Sequence, residues 1–229
     1  MLRLLLMFGI AALTQTGIAQ SYAFGLKLGP SIGIQNWNNY QTNEPLFKYH
    51  ILAFIESAPE ENTGTLFAEL GYHIKGRAIR FRATVNPLTG GVIPARNFKL
   101  QFRNISFQLG GRQKIPVGNN RLFYSLAIRG DYNVSSDLEI YAGFKEGINK
   151  LTYGISVGGG MEFEWSELVS GILDIRVSPD LSKQIFIPPF EWQNPYTGTQ
   201  EVFREQSVKN IVFEVSLGIR FLHKIIYVD

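Results

Sequence analysis

The chain contains no cysteine, which excludes a disulfide framework, thiolate catalysis and cysteine-ligated metals. Beyond its N-terminal residues, no apolar run approaches the roughly 18 residues that a membrane-spanning helix needs. Like charges form no run, and 22 Lys and Arg against 19 Asp and Glu leave a net charge of only +3. We therefore expect no nucleic-acid partner. The mean hydropathy of +0.00 suits several protein classes, so the order of the residues has to decide between them.

The first residues have the layout of a secretory signal. Arg3 supplies a positive start, an apolar stretch runs from Leu4 to Leu13, and a small-x-small site ends at Ala19. The apolar stretch is too short to span a bilayer, and polar residues follow it directly. We expect residues 1–19 to be a signal peptide that is removed on export.

From Tyr22 onward every second residue is apolar, and the residues between are small or polar. Because side chains alternate across a strand, the two sets lie on opposite faces. The apolar set is Tyr22, Phe24, Leu26, Leu28, Pro30, Ile32 and Ile34.

The same alternation recurs along the chain and predicts about eight strands. In the fourth strand the apolar residues are even-numbered up to Phe102 and odd-numbered from Ile105 onward. We predict a β-bulge near Asn104, because one extra residue there would keep both groups on the same face of the sheet. The predicted strands are 22–36, 47–57, 65–75 with a continuation to 81, 98–115, 121–134, 151–163, 169–177 and 211–221.

Long and short connections alternate between these strands. The short ones are 58–63, 116–120 and 164–168, and the others are long. This asymmetry is typical of outer-membrane barrels, whose turns are periplasmic and whose loops are extracellular. The pattern predicts an all-β fold, an eight-stranded antiparallel up-and-down transmembrane β-barrel that occupies residues 20–229.

A soluble lipocalin-type barrel would turn the same faces the other way, with its apolar residues inside. Three features favour lipid outside. The sixth strand carries small residues on its polar face, such as Gly154 and Gly160, which suit a crowded interior. Aromatic residues cluster towards strand ends like two interfacial girdles. They include Tyr22, Phe24, Trp37, Tyr132, Phe163, Trp165 and Phe221. The third feature is the near balance of opposite charges on the polar face.

An eight-stranded barrel is just wide enough for side chains to fill, so charges inside it must pair. We predict a plug of ion pairs rather than a water-filled pore. Closure of the barrel by its first and last strands is expected to bring Lys27 near Glu214. The predicted lumen network is Lys27, Glu69, His73, Lys75, Arg121, Arg129, Asp131, Glu162, Asp174, Arg176, Glu214 and Arg220.

Catalytic and cofactor signals are weak. His73 shares the inner face with Glu69, but residues four apart on a strand lie about 13 Å from each other, beyond hydrogen bonding. A histidine within the lumen network is the favoured interpretation. No G-x-S-x-G motif or zinc spacing occurs, and Gly158 to Gly160 lie inside a strand pattern rather than a phosphate loop. We predict no catalytic residue, cofactor or metal.

The loop between the seventh and eighth strands is rich in apolar and aromatic residues. It can form a surface for a protein partner, or it can fold over the barrel mouth. The candidate surface residues are Phe186, Pro188, Pro189, Phe190 and Trp192.

The opening motif 24–30, Phe-Gly-Leu-Lys-Leu-Gly-Pro, together with the eight-strand rhythm, resembles the PorT-like outer membrane protein beta-barrel group. OmpA-type and OmpX-type barrels are more distant. The resemblance covers the mature chain and implies an integral outer-membrane protein, and some members of the group are linked to protein secretion. One departure is the tail from Leu222 to Asp229, which follows Phe221, where a terminal aromatic would end the barrel. There is also no room for a peptidoglycan-binding domain.

The expected function is therefore a non-enzymatic structural or docking component of the cell envelope that acts through its extracellular loops. We expect a monomeric barrel in contact with outer-membrane lipids, with a possible link to protein secretion. The alternatives are an outer-membrane lipid hydrolase and a narrow passive pore.

Overall fold

The computed structural model describes residues 21–39, 44–58, 63–193 and 198–224. The predicted signal peptide and the end of the predicted tail lie outside these ranges. No helix in these ranges is long and apolar enough to cross a bilayer. The strands are β1 Tyr22–Trp37, β2 Glu44–Ser57, β3 Gly64–Phe81, β4 Thr84–Val85, β5 Val92–Ile93, β6 Arg96–Val117, β7 Asn120–Asp137, β8 Leu151–Glu164, β9 Val169–Pro179, β10 Ile185–Ile187, β11 Phe190–Gln193, β12 Gln200–Phe203 and β13 Gln206–His223, with one 3-10 helix at Glu139–Gly147.

Eight long strands form one closed antiparallel sheet, which confirms the predicted barrel. Their order is β1-β2-β3-β6-β7-β8-β9-β13, and β13 pairs back onto β1. The closing seam runs from Tyr22 opposite His223 to Trp37 opposite Val208. Every neighbour pair in the barrel is antiparallel, as an up-and-down connectivity requires.

Apart from Leu100 and Phe102 on β6, the predicted apolar set of each strand faces outward. Leu26 is 57% exposed and Tyr124 is 60% exposed, whereas their neighbours Lys27 and Ser125 are buried. A continuous apolar surface of this kind is unfavourable in water but favourable in contact with lipid hydrocarbon. The facing is the reverse of the lipocalin arrangement, and the structure is that of a transmembrane barrel.

The two ends of the barrel differ. The turn end holds the first residue of β1, the last residue of β13 and the short connections. One of these is the two-residue turn Gly118-Asn119, in which Gly118 has a φ of 60°. The turn predicted at 58–63 lies mostly outside the described residues. The loop end holds three longer connections, which carry β4–β5, the 3-10 helix and β10–β12.

The bulge prediction was correct in position but wrong in its effect. The β6–β7 register shifts between Arg103 and Asn104, but the extra residue, Val134, is on β7. On β6 the facing never changes, and Leu100 and Phe102 stay inside with no exposed surface. Their parity change reflects an apolar interior at the loop end, not a reversal of the strand.

Candidate functional site

The barrel interior is filled by three groups of ion pairs, stacked from the turn end to the loop end. We name them by depth. The turn-end cluster is Glu56, Arg112, Lys114, Glu162 and Arg220; the central cluster is Lys27, Glu69, Asp174 and Arg176; the upper cluster is Lys75, Arg129, Asp131 and Asp180.

In the turn-end cluster, Glu56 binds three cations. Its carboxylate oxygens lie 2.6 Å from Arg112 Nη1, 2.6 Å from Lys114 Nζ and 2.7 Å from Arg220 Nε. Glu162 forms ion pairs with two of the same cations, at 2.8 Å from Lys114 Nζ and 3.2 Å from Arg220 Nη1. Each carboxylate is therefore shared, which offsets the cost of burying five charged side chains in one layer.

The central cluster corrects the predicted Lys27–Glu214 pair. The register places Lys27 opposite Gly218 and Glu214 opposite Ser31, so the two charges lie at different depths on the inner face. Lys27 Nζ instead lies 2.6 Å from Glu69 Oε1 and 2.7 Å from Asp174 Oδ2. Arg176 binds the same two carboxylates. A lysine side chain in a narrow lumen reaches across it, so its partners are not those of the adjoining strand.

The upper cluster has the same arrangement, in which two cations share two carboxylates. Lys75 Nζ lies 2.6 Å from Asp131 and 2.7 Å from Asp180, and Arg129 binds both carboxylates. His73 lies between the layers, with Nε2 3.2 Å from Asp131 and Nδ1 3.2 Å from Glu214. Its partners therefore come from β7 and β13, not from Glu69 on its own strand.

Inward glycines make room for aromatic rings between the ionic layers. A Cβ on Gly160 would lie 1.9 Å from the Leu173 carbonyl oxygen and 2.8 Å from Phe123. A Cβ on Gly25 would meet the Ile219 carbonyl oxygen at 2.0 Å and Phe54 at 2.8 Å. Phe54 and Phe123 pack together with Ile172 inside the barrel. The small residues on the polar face therefore belong to a crowded interior, as predicted.

An apolar cap closes the interior at the loop end. The partly buried Tyr141 and Phe144 pack on the cap from outside. The Arg77 guanidinium lies 4.7 Å above the Trp37 ring. The cap consists of Trp37, Leu100, Phe102, Leu138, Ile185 and Val208.

Trp37 was predicted to belong to an interfacial girdle, and that prediction is wrong. Trp37 shares the parity of Lys27, points inward and donates through Nε1 to Gln206 Oε1 at 2.8 Å. Its position near a strand end suggested the girdle, whereas its parity already indicated the interior. Trp165, by contrast, is exposed at the turn end.

The apolar loop after β9 folds over the barrel mouth with its first residues and leaves the following ones exposed. Ile185 is fully buried in the cap, and Ile185–Ile187 pairs with β13. Beyond the two exposed prolines, Pro188 and Pro189, the chain forms the β11–β12 hairpin, whose Phe190 stacks on Phe203 at 4.8 Å. Trp192 lies on the same hairpin face, 42% exposed.

This hairpin borders a cleft at the loop end, which we call the aromatic cleft. The 3-10 helix provides Phe144 on its other side, 6.3 Å from Phe203. Phe186 stands at the edge under the Lys183 ammonium, which lies 3.9 Å from the ring centroid. The cleft is lined by Gly143, Phe144, Glu146, Gly147, Phe186, Ile187, Pro188, Phe190 and Phe203.

Of the twelve residues predicted for the lumen network, eleven are buried inside the barrel. Arg121 is the exception, since its side chain is 43% exposed at the turn-end rim beside Glu162 and Glu164. Sequence reasoning missed Glu56, Arg112, Lys114 and Asp180. The first three lie at inward positions of β2 and β6, so parity alone would have found them. Asp180 follows the end of β9, where alternation gives no signal.

Two of the three histidines, His50 and His73, are buried, and His223 is exposed at the turn end. His50 Nε2 lies 2.7 Å from Ser216 Oγ, and both residues are at most 2% exposed. Within the described ranges, no group of three or more His, Asp or Glu side chains has the geometry of a metal site.

No protein-family model and no curated protein sequence matches this chain. Among solved structures, it is similar to the outer membrane protein OprG from Pseudomonas aeruginosa, with a TM-score of 0.49, 9% identity and coverage of 88% of this chain and 97% of that one. It is also similar to Neisserial surface protein A, with a TM-score of 0.46, 7% identity and coverage of 87% and 97%. A third similar structure is Ail of Yersinia pestis, with a TM-score of 0.41, 9% identity and coverage of 89% and 100%.

Proposed function

We propose that this protein is an integral outer-membrane β-barrel with a closed lumen, and that it acts as a non-enzymatic structural or docking component of the cell envelope. The observation that carries the proposal is the pairing of an apolar exterior with a filled interior. Such a barrel is anchored by its coat and presents its loops to partners.

The filled interior supports a closed barrel rather than a pore. Three ionic layers and the apolar cap occupy successive depths, and each is assembled from side chains of several strands. An ion that crossed would have to separate buried pairs, which costs several kcal/mol for each uncompensated charge (about 3–5).

The burial of His50 and His73 supports a non-enzymatic role. A lipid hydrolase needs a nucleophile and a base that a lipid can reach. The His50–Ser216 contact is enclosed in the barrel, and His73 lies between two carboxylates. Neither faces the bilayer or a loop.

The aromatic cleft supports docking at the loop end. Phe190 and Trp192 present apolar surface on a hairpin that projects beyond the barrel, and aromatic side chains dominate the energetics of many protein interfaces. A component of a protein-secretion apparatus is one partner that would fit, as the resemblance to PorT-like barrels implies.

Membrane fractionation and planar-bilayer recording test the barrel part of the proposal. We expect the mature chain in the detergent-extracted outer membrane, with no stable single-channel conductance after reconstitution. Recovery from the periplasmic extract without detergent would contradict the membrane location. Steady conductance steps would contradict the closed lumen and favour a narrow pore.

Crosslinking on intact cells tests the docking part. The double substitution Phe190→Ser with Trp192→Ser should abolish a discrete crosslinked species that the wild-type barrel forms. The matched control is Val85→Ser with Leu88→Ser, which removes exposed apolar residues from the β3–β6 connection, on the opposite side of the barrel mouth. Docking through the β11–β12 hairpin that borders the aromatic cleft would be refuted by an unchanged species in the first variant, or by equal loss in both.

A further inference from the structure

The charges of this chain are unevenly distributed along its length. From residue 70 to residue 130 there are 11 Lys and Arg and no Asp or Glu. Four of these cations lie inside the barrel and pair with carboxylates, and a fifth, Arg77, lies over the Trp37 ring; the four are Lys75, Arg112, Lys114 and Arg129. Arg121 lies at the turn-end rim, and the other five cations lie at the loop end, around the β3–β6 connection.

Five of these cations lie on the hairpin that the ends of β3 and β6 form at the loop end, which we call the basic hairpin. They lie on the ends of β3 and β6 or just beyond, and all are exposed except Arg103, which is half-buried. Within the parts of the chain that the structure describes, none of them forms an ion pair with a carboxylate. The five are Arg80, Arg82, Arg96, Lys99 and Arg103.

The basic hairpin projects beyond the rest of the wall. The ladder between β2 and β3 ends with Glu44 opposite Ala78, and that between β6 and β7 ends with Gln101 opposite Asp137. The β3–β6 ladder continues to Phe81 opposite Arg96. The hairpin therefore stands free of both neighbouring strands at its tip.

Three of the cations share the outer face of the hairpin. Lys99 stands opposite Ala78 and Arg80 opposite Asn97, so the two cations are diagonal neighbours. Arg103 has the same parity on β6 as Lys99 and as the exposed Ile105 below it. Two residues along a strand span about 7 Å, so Arg103 stands directly above the apolar coat.

None of these three side chains forms an ion pair within the described residues, and two carboxylates beside them accept other hydrogen bonds. Glu139 Oε2 accepts a hydrogen bond from the Lys99 backbone N–H at 2.9 Å. Asp137 Oδ2 accepts one from Gln101 Nε2 at 3.3 Å. The Arg103 guanidinium donates to a hydroxyl, Ser135 Oγ, at 3.2 Å.

We propose that the outer face of the basic hairpin binds phosphate groups on the headgroups of outer-leaflet lipids. Guanidinium and ammonium groups are the side chains that bind phosphate, and arginine does so through paired donors. Continuity with the apolar coat selects a lipid over a soluble anion, because a molecule whose acyl chains pack on Ile105 and Phe107 presents its headgroup at Arg103. The inference rests on the proposed outer-membrane location.

The test titrates the folded barrel in neutral detergent micelles and counts bound molecules by native mass spectrometry. The probes are bisphosphorylated lipid A, the same lipid without its phosphates, and the soluble polyanion inositol hexakisphosphate. The test variant is R80Q/K99Q/R103Q. The matched control, K145Q/K150Q/R204Q, removes the same charge from exposed cations of the other loops, none of which has an ion pair in the described ranges. Heat-modifiable gel mobility verifies that each variant is folded.

We expect the test variant to bind bisphosphorylated lipid A at least about tenfold more weakly than wild type, and the control to change less than about twofold. Single variants Arg80→Gln and Arg103→Gln, expected to lose about fivefold each, replace the triple variant if it does not fold. The proposal would be overturned by equal losses of lipid A affinity in the test and control variants. It would also be overturned if the wild type bound lipid A equally well with and without its phosphates. Tighter binding of inositol hexakisphosphate than of the lipid would assign the surface to soluble polyanions instead. Fractionation tests the membrane location independently of all these results.

Discussion

The Lys27 ammonium on β1 binds the Asp174 carboxylate on β9 at 2.7 Å, although β13 lies between the two strands. The same ammonium binds Glu69 on β3, two strands away in the other direction. One side chain therefore joins three strands, β9, β1 and β3, across an arc of five strands of the wall. The interior network supplements the backbone ladders in holding the barrel closed.

Replacing Lys27 by Met should destabilise the barrel strongly. The change leaves Glu69 and Asp174 sharing Arg176 as the main cation of the central cluster. Removing one partner of a buried pair costs about 3–5 kcal/mol, because an uncompensated charge remains. The measurement is the free energy of unfolding by denaturant in micelles.

Two further variants check this explanation. K27M/D174N restores the balance of charge and should be more stable than K27M alone. K183M breaks the exposed Lys183–Glu205 pair and should cost no more than about 1 kcal/mol. If K27M and K183M cost the same, the central cluster does not hold the barrel together.

Gly160→Ala should destabilise the barrel by about 1–3 kcal/mol, the usual cost of overpacking an interior. The added methyl group would lie 1.9 Å from the Leu173 carbonyl oxygen, so the wall would have to shift. Gly111 is the control, since no atom lies within 4 Å of a Cβ at that position. Gly111→Ala should leave stability unchanged or raise it by up to about 1 kcal/mol. Equal effects at both positions would argue against a crowded interior.

Single cysteines test the facing of the strands directly, because the chain has no cysteine of its own. A nitroxide attached at Leu126→Cys should be accessible to oxygen dissolved in the bilayer, since Leu126 is exposed on the outer wall. A thiol at Ala127→Cys should react only after unfolding, because Ala127 is buried in the lumen. The opposite pattern would place the apolar residues inside the barrel.

Much of the interior could be read from parity. A strand alternates with a period of two, so knowing that Lys27 faces inward also assigns Trp37, and Glu69 likewise assigns His73. The same rule places Arg112 and Lys114 inside the barrel, although the outward residues of their segment carry the clearer apolar signal. Leu100 and Phe102 depart from the prediction because apolar character indicates the lipid face only where the interior is polar. At the loop end the interior is itself apolar.

Alternation along single strands was enough to predict the barrel, and the lengths of the connections predicted its two unlike ends. The facing needed the small residues, the aromatic strand ends and the balanced charges as well, but all of these are features of the linear sequence. The partner of each buried charge was not accessible in this way. It depends on register, on how many strands separate two residues around the wall, and on a lumen narrow enough for lysine and arginine to cross. In that low-dielectric space each cation binds the nearest carboxylate whichever strand supplies it, and only the closed barrel brings Lys27 to Asp174 and His73 to Glu214.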